Sequence, residues 1–203
     1  MRRAKLHKLA QFVREETGQN LVEFALLLPL LMYILLGIIQ FGFIFAVYVT
    51  INNAVREGAR WGTIYVYDNN SSANANDTAR NNGIVDRIYA SRGILAMPAR
   101  GASSSNMDLS TSGNLTASSC PEQTPAPIVG FKWPNGANPD LTICYAVPTG
   151  VTANDPRRGE YMDVEAWYHL QVFIPLLQQF LPDDPVKGAP WIRIPARITV
   201  VIN

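Results

Sequence analysis

Histidine and cysteine are scarce in this chain of 203 residues, with two of each. That scarcity excludes most metal chemistry built on soft ligands, because a structural zinc site wants four nitrogen or sulfur donors at close spacing. Cys120 and Cys144 have no neighbouring cysteine or histidine to complete one. A hydrolytic triad needs a histidine that meets both a nucleophile and an orienting acid. No Gly-x-Ser-x-Gly elbow is present, and the serines cluster in a polar stretch within residues 98–140. His169 falls on the polar side of a strand-like segment and reads as a solvated histidine. No glycine-rich phosphate loop opens a helix, which leaves an ATPase or a dinucleotide enzyme without support. A net charge of +1 offers no electrostatic footprint for nucleic acid. Catalytic, metal-binding and cofactor-binding residues are therefore expected to be none.

Charge is missing in one further place, and that absence is informative. From Phe24 to Val49 the chain runs 26 residues without a charged side chain. At about 1.5 Å per residue a helix of this length reaches roughly 39 Å, enough to cross a hydrocarbon core of about 30 Å. The run reads as a single transmembrane helix. Pro29 removes one intrahelical hydrogen bond, and a kink or a short unwound segment near Ala25 is expected. Arg2, Arg3, Lys5, Lys8 and Arg14 precede the run, whereas only Arg56 and Arg60 follow it closely. That bias keeps the N-terminus in the cytoplasm and exports the chain from about Ile51 onward. The run is too long for an ordinary secretory signal and no small-x-small cleavage site follows it.

Both cysteines then lie outside, where an even pair reads as a disulfide between Cys120 and Cys144. Such a loop stabilises a fold by roughly 3–4 kcal/mol on the chain-entropy account. The competing reading, a two-thiol metal site, lacks further ligands.

The exported part is large enough to bury a core. Ile51 to Trp61 has helical composition, and Ala54, Gly58 and Gly62 recur every four residues to leave one flat face. That face suits a neighbouring helix or, slightly better, the protein's own sheet. Asp68 to Asn76 reads as an exposed loop, and Asp77 to Arg92 as a second, amphipathic helix. Residues 98–140 should be irregular, with short strands at most. Three segments alternate as strands do: Leu141 to Val147, Met162 to Val172 and Ile192 to Ile202. Each carries polar or small residues opposite its apolar ones, the pattern of an antiparallel sheet with one covered face. Pro175 and Pro182 end the middle strand, and Asp183 to Gly188 forms a turn. Asp163 and Glu165 could hold a hard cation, although two carboxylates on a strand are more simply a solvated edge. The expected class is α+β: a long N-terminal transmembrane helix continuing into an exported domain with a second short helix and a small antiparallel sheet of about three or four strands.

Gly18-Gln-Asn-Leu-Val-Glu23-Phe24 at the lip of the apolar run resembles the processing motif of type IV prepilins. With Gly37-Ile-Ile-Gln-Phe-Gly42 and Asn53-Ala-Val-Arg-Glu-Gly-Ala-Arg-Trp-Gly62 it is similar, more narrowly, to the TadE-like pseudopilins of Tad/Flp pilus systems. The resemblance implies a prepilin peptidase cut between Gly18 and Gln19. It divides the chain into a leader at 1–18, an N-terminal helix at 19–66 with its span at 24–49, and an exported domain at 67–203. The leader carries five basic and two acidic side chains, so its loss takes the net charge from +1 to −2. The resemblance also assigns Glu23, Phe24 and Pro29 to assembly, Glu23 facing the free amine of a neighbouring subunit. A carboxylate beside hydrocarbon is costly unless paired, which makes that use physically sensible. Its plain alternative is a carboxylate that snorkels to the interface and suits the helix dipole. Implied partners are the membrane, the peptidase, other pilins or pseudopilins, and an assembly platform with its secretion ATPase. The implied location is the inner membrane, as a single-pass minor pilin that is pilus-associated. The rival from another class is an unprocessed membrane-anchored binding or sensor module, with Trp133, Tyr145, Trp167, Tyr168 and Trp191 as an aromatic surface.

Overall fold

The computed structural model describes residues 3–110, 118–119, 140–148, 150, 152, 154 and 156–203, with side chains from Gln19 onward except at 118–119. Helix α1 spans Arg3–Thr63. The described chain divides into two compact units, Met1–Phe43 and Ile44–Asn203. In the first unit the helix presents most of its large apolar side chains outward, from Leu21 to Phe43. It remains helical through Pro29. No unwound segment forms near Ala25: the proline deletes one donor, and the hydrogen bonds of neighbouring residues hold the remaining ladder.

The second unit contains the C-terminal turns of α1, then α2 (Ala73–Ala90), β1 (Ser118–Ser119), β2 (Leu141–Ala146), β3 (Tyr161–Gln171), the short α3 (Pro175–Gln178) and β4 (Trp191–Val201). The class is α+β, as the sequence suggests. The sheet order is β1-β2-β3-β4. β2 pairs antiparallel with β3, Ile143 opposite Val164, and β3 pairs antiparallel with β4, Tyr168 opposite Ile194. The two-residue β1 adds a parallel edge, Ser118 opposite Cys144. The residue alternation places Leu141, Ile143, Tyr145, Met162, Val164, Ala166, Ile192 and Ile194 in the core, on the covered face of the sheet.

That cover is α1 and α2 together. Val47, Ile51, Ala54, Val55 and Ala59 are buried from α1, and Ile84, Val85 and Ile88 from α2. The small residues allow close approach. A Cβ on Gly58 would lie 2.5 Å from Ile88 Cγ1, and one on Gly62 would lie 2.7 Å from both Ile84 Cδ1 and Met162 Cε. Gly83 faces the Trp61 ring in the same way. The flat face of α1 thus meets the protein's own second helix first and its sheet second.

α2 starts before Asp77. Ser72 caps it by accepting from the Ala75 amide at 3.2 Å, so Ala73 to Asn76, expected in a loop, form its first turn. Asn76 is buried there, donating to the Asp68 carbonyl and accepting from the Asp68 amide. The far side of α2 is tied to the chain before β3. Arg157, at φ 56°, donates through Nε to both oxygens of Asp77 at 2.9 Å and through Nη1 to Glu160 at 2.9 Å. Its guanidinium lies 4.4 Å from the Tyr145 ring. Burial pushes the Tyr145 phenol up to about 12, and its hydroxyl donates to Asn81.

Candidate functional site on the N-terminal helix

Gly18, Gln19, Glu23, Phe24 and Pro29 all fall within α1. Gln19 and Glu23 are one helical turn apart, hence on the same face. The Gln19 amide nitrogen donates to Glu23 Oε1 at 3.3 Å, and both side chains are exposed. After Glu23 the surface changes abruptly. Phe24, Leu26, Leu27, Leu30 and Leu31 are all exposed, and the segment from Gln19 is long and apolar enough to cross a membrane once. One carboxylate therefore stands at the edge of a helix whose outward side chains are hydrocarbon. Burying such a helix in lipid satisfies both its apolar side chains and its backbone, whose hydrogen bonds close within the helix. What the arrangement offers chemically is a single acceptor of positive charge where hydrocarbon begins.

Residues 18–60 match the family model of TadE-like proteins. The TadE-like segment begins at Gly18, contains Gln19, Glu23, Phe24 and Pro29, and ends inside α1 two residues after Gly58, which packs against α2. It covers less than half of the chain, and the sheet lies wholly outside it. No curated protein and no solved structure shows a significant match to the chain.

His169 is not the solvated histidine that its place on a strand suggests. It is buried, with Nε2 2.9 Å from Asp140 Oδ1 and Nδ1 in hydrogen-bond contact with Asp184 Oδ2. The sheet's polar face is covered at this end by two loops. Asp140 also accepts from the Asp108 amide at 2.6 Å, and Asp184 accepts from the Val186 and Lys187 amides. The His169 carbonyl accepts from the Asn106 side chain at 2.8 Å. Burial works against the imidazolium, but hydrogen bonds to Asp140 and Asp184 prevail and raise His169 above its usual 6.5. Burial likewise works against the Asp184 carboxylate, yet the His169 contact and the two backbone donors hold it below its usual range. With a carboxylate on each ring nitrogen, neither nitrogen is free to activate a nucleophile. His169 is a clamp between loops, made by partners 29 and 15 residues away in sequence.

Asp163 accepts from Arg197 Nε at 3.0 Å and from the Thr199 hydroxyl at 3.2 Å, which occupies the carboxylate considered for a cation. Among the described residues no group of His, Cys, Asp and Glu could hold a metal ion. Tyr145 and Tyr168 are buried, and Trp167 stacks under Arg193 at 3.5 Å; Trp133 lies outside the described residues. Tyr145 and Tyr168 therefore belong to the core rather than to an aromatic surface. Cys144 sits in β2 and Cys120 lies outside the described residues.

Proposed function

We propose that the chain is a TadE-like minor pilin or pseudopilin of a Tad/Flp-type pilus. In this reading it is a structural subunit rather than an enzyme, held in the inner membrane by α1 with its N-terminus in the cytoplasm. A prepilin peptidase cuts between Gly18 and Gln19, and the exposed apolar side chains of the span then stack with those of other pilins or pseudopilins. Glu23 meets the free amine of a neighbour, while Phe24 and Pro29 shape the first turns of the packed helix. A membrane platform and its secretion ATPase supply the work of assembly. The observation that carries this reading is the family match opening at Gly18, followed within six residues by Glu23 and a charge-free helical run.

The exported domain argues for a minor, initiating or tip subunit, because a major pilin of this type has little beyond the helix. Cys120 and Cys144 close a disulfide in this compartment; β1 supports it by placing Ser118, two residues before Cys120, opposite Cys144. Intact-mass analysis of the protein isolated from membranes tests the central claim. A start at Gln19 with a free or methylated amine is expected. A start at Met1 or Arg2 would favour an unprocessed anchor, and a pyroglutamyl Gln19 would remove the amine that Glu23 is to meet.

A further inference from the structure

Three large apolar side chains project from the first half of the β3–β4 connection: Phe173, Leu176 and Phe180, exposed by 73%, 53% and 76%. Their neighbour Ile174 is buried, and Leu177 and Leu181 turn inward and pack on the core. From Phe173 to Pro182 the connection carries no charge. A fourth such residue, Ile94, is 70% exposed on the turn that follows α2. Isolated apolar residues on a surface need no explanation, but a group at one end of a domain does.

The position of these loops along α1 follows from three contacts. Met162, at the start of β3, packs at Gly62. The Tyr168 hydroxyl accepts from the Ala96 amide at 3.2 Å, and Gly93, three residues before Ala96, lies against Thr50 Cγ2. β3 therefore runs antiparallel to α1. Its six steps from Met162 to Tyr168 cover about 20 Å, close to the roughly 18 Å that α1 covers between Gly62 and Thr50. Continuing past Tyr168 carries the chain to Phe173 on the N-terminal side of Thr50, the direction in which Ile44 to Val49, the last residues of the charge-free run, also lie. Ile94, beside Gly93, stands at the same end. Aromatic and basic residues are paired there as well: Arg92 lies over Tyr89 at 3.9 Å and Lys187 over Trp191 at 4.9 Å. That combination suits the boundary between headgroups and hydrocarbon.

We propose that Phe173, Leu176, Phe180 and Ile94 form a lipid-contacting foot, inserted at the headgroup boundary of the leaflet on the domain's side while α1 spans the bilayer. The inference rests on the membrane-anchor part of the proposed function and is independent of cleavage at Gly18. Lipid is favoured over a protein partner because these loops lie at the end of the domain at which the charge-free run enters it.

The test uses the full chain in nanodiscs of phosphatidylethanolamine and phosphatidylglycerol, with an environment-sensitive fluorophore attached at Phe180→Cys, Val66→Cys or Leu31→Cys. The unsubstituted chain is the blank for Cys120 and Cys144. Val66 marks the opposite end of the domain and Leu31 the span. The expected result is blue-shifted emission and quenching by doxyl-labelled phosphatidylcholine at Phe180, approaching that at Leu31, with neither at Val66. Quenching at Leu31 with water-like emission at Phe180 would overturn the foot and leave the anchor standing. Protection of Phe180 from aqueous iodide without quenching by the labelled lipid would also overturn it, in favour of a protein neighbour. An unquenched probe at Leu31 would sink the foot and the membrane reading together.

Discussion

Replacing His169 by glutamine should remove the buried side-chain clamp that ties two loops to the end of the sheet. His169, Asp140 and Asp184 are almost fully buried, and the imidazolium donates to one carboxylate on each side. Taking one partner out of a buried ionic group costs about 3–5 kcal/mol, because the charges left behind stay desolvated. A glutamine amide can restore one hydrogen bond, worth about 1 kcal/mol. The expected net loss is therefore about 2–4 kcal/mol, a large part of the roughly 5–15 kcal/mol that keeps a domain folded. The same geometry fixes a pH dependence. His169 has a folded pKa above 6.5, so its contribution is complete below 6.5 and is lost as pH rises through the folded value. Each unit of elevation is worth about 1.4 kcal/mol. Asp184 acts in the opposite direction: its folded pKa is below 3.8, and its contribution is lost as pH falls through that value. Urea unfolding of the full chain in detergent, followed by tryptophan fluorescence, reads both effects. The unsubstituted chain should lose stability on the alkaline side of 6.5, and H169Q should be less stable at acid pH but flat across that interval. A midpoint in H169Q equal to that of the unsubstituted chain below 6.5, or no alkaline loss in the latter, would refute the clamp.

Gly83→Ala should destabilise the domain despite being a better helix former by about 1 kcal/mol. A Cβ there would sit 1.9 Å from Trp61 Cη2, and overpacking or displacing that ring costs about 1–3 kcal/mol, so thermal melting should show a net loss of up to about 2 kcal/mol; a stabilised variant would be contrary evidence. The cysteine pair should appear as a gain of two hydrogens in intact mass on reduction, and Cys144→Ser should cost roughly 3–4 kcal/mol; two free thiols in exported protein would dismiss the disulfide.

The strands are legible because polar residues recur on their outer faces: Met162, Val164, Ala166 and Tyr168 against Asp163, Glu165 and His169, with Trp167 the exception, show a period of two that no helix produces. The same alternation misled at His169. It assigns a residue to a face but says nothing of what covers that face, and here the cover comes from Asp140 and Asp184, which sequence distance conceals. Asp77 and Arg157 are hidden from a sequence reading for the same reason, being 80 residues apart. The start of α2 is concealed in the sequence because the Asn and Ala residues of its first turn resemble a loop, and only the cap by Ser72 marks them as helical. On the stem, by contrast, Gly18, Glu23 and the apolar run are local features. Local features are what one sequence displays best, and the family match falls on that stretch.

α1 serves two solvents in succession, and the point of change predicts which truncations fold. Up to Phe43 its large apolar side chains are mostly exposed, whereas Val47, Ile51 and Val55 are buried among α2 and the sheet. Each of those three contributes about 1.5–3 kcal/mol by leaving water, or roughly 5–9 kcal/mol together. That is comparable to the whole net stability of a typical domain. A fragment beginning at Ile44 retains this layer, and circular dichroism should show a cooperative melt. One beginning at residue 67 lacks it and leaves Ile84, Ile88 and Met162 facing water, so it should bind hydrophobic dyes and show no cooperative transition. Gly18 lies far upstream of Val47, so a cut after it would touch none of the core, and the unit from Ile44 onward should be equally stable with and without residues 1–18. A well-folded 67–203 fragment would refute the idea that α1 supplies an essential layer of the domain's core.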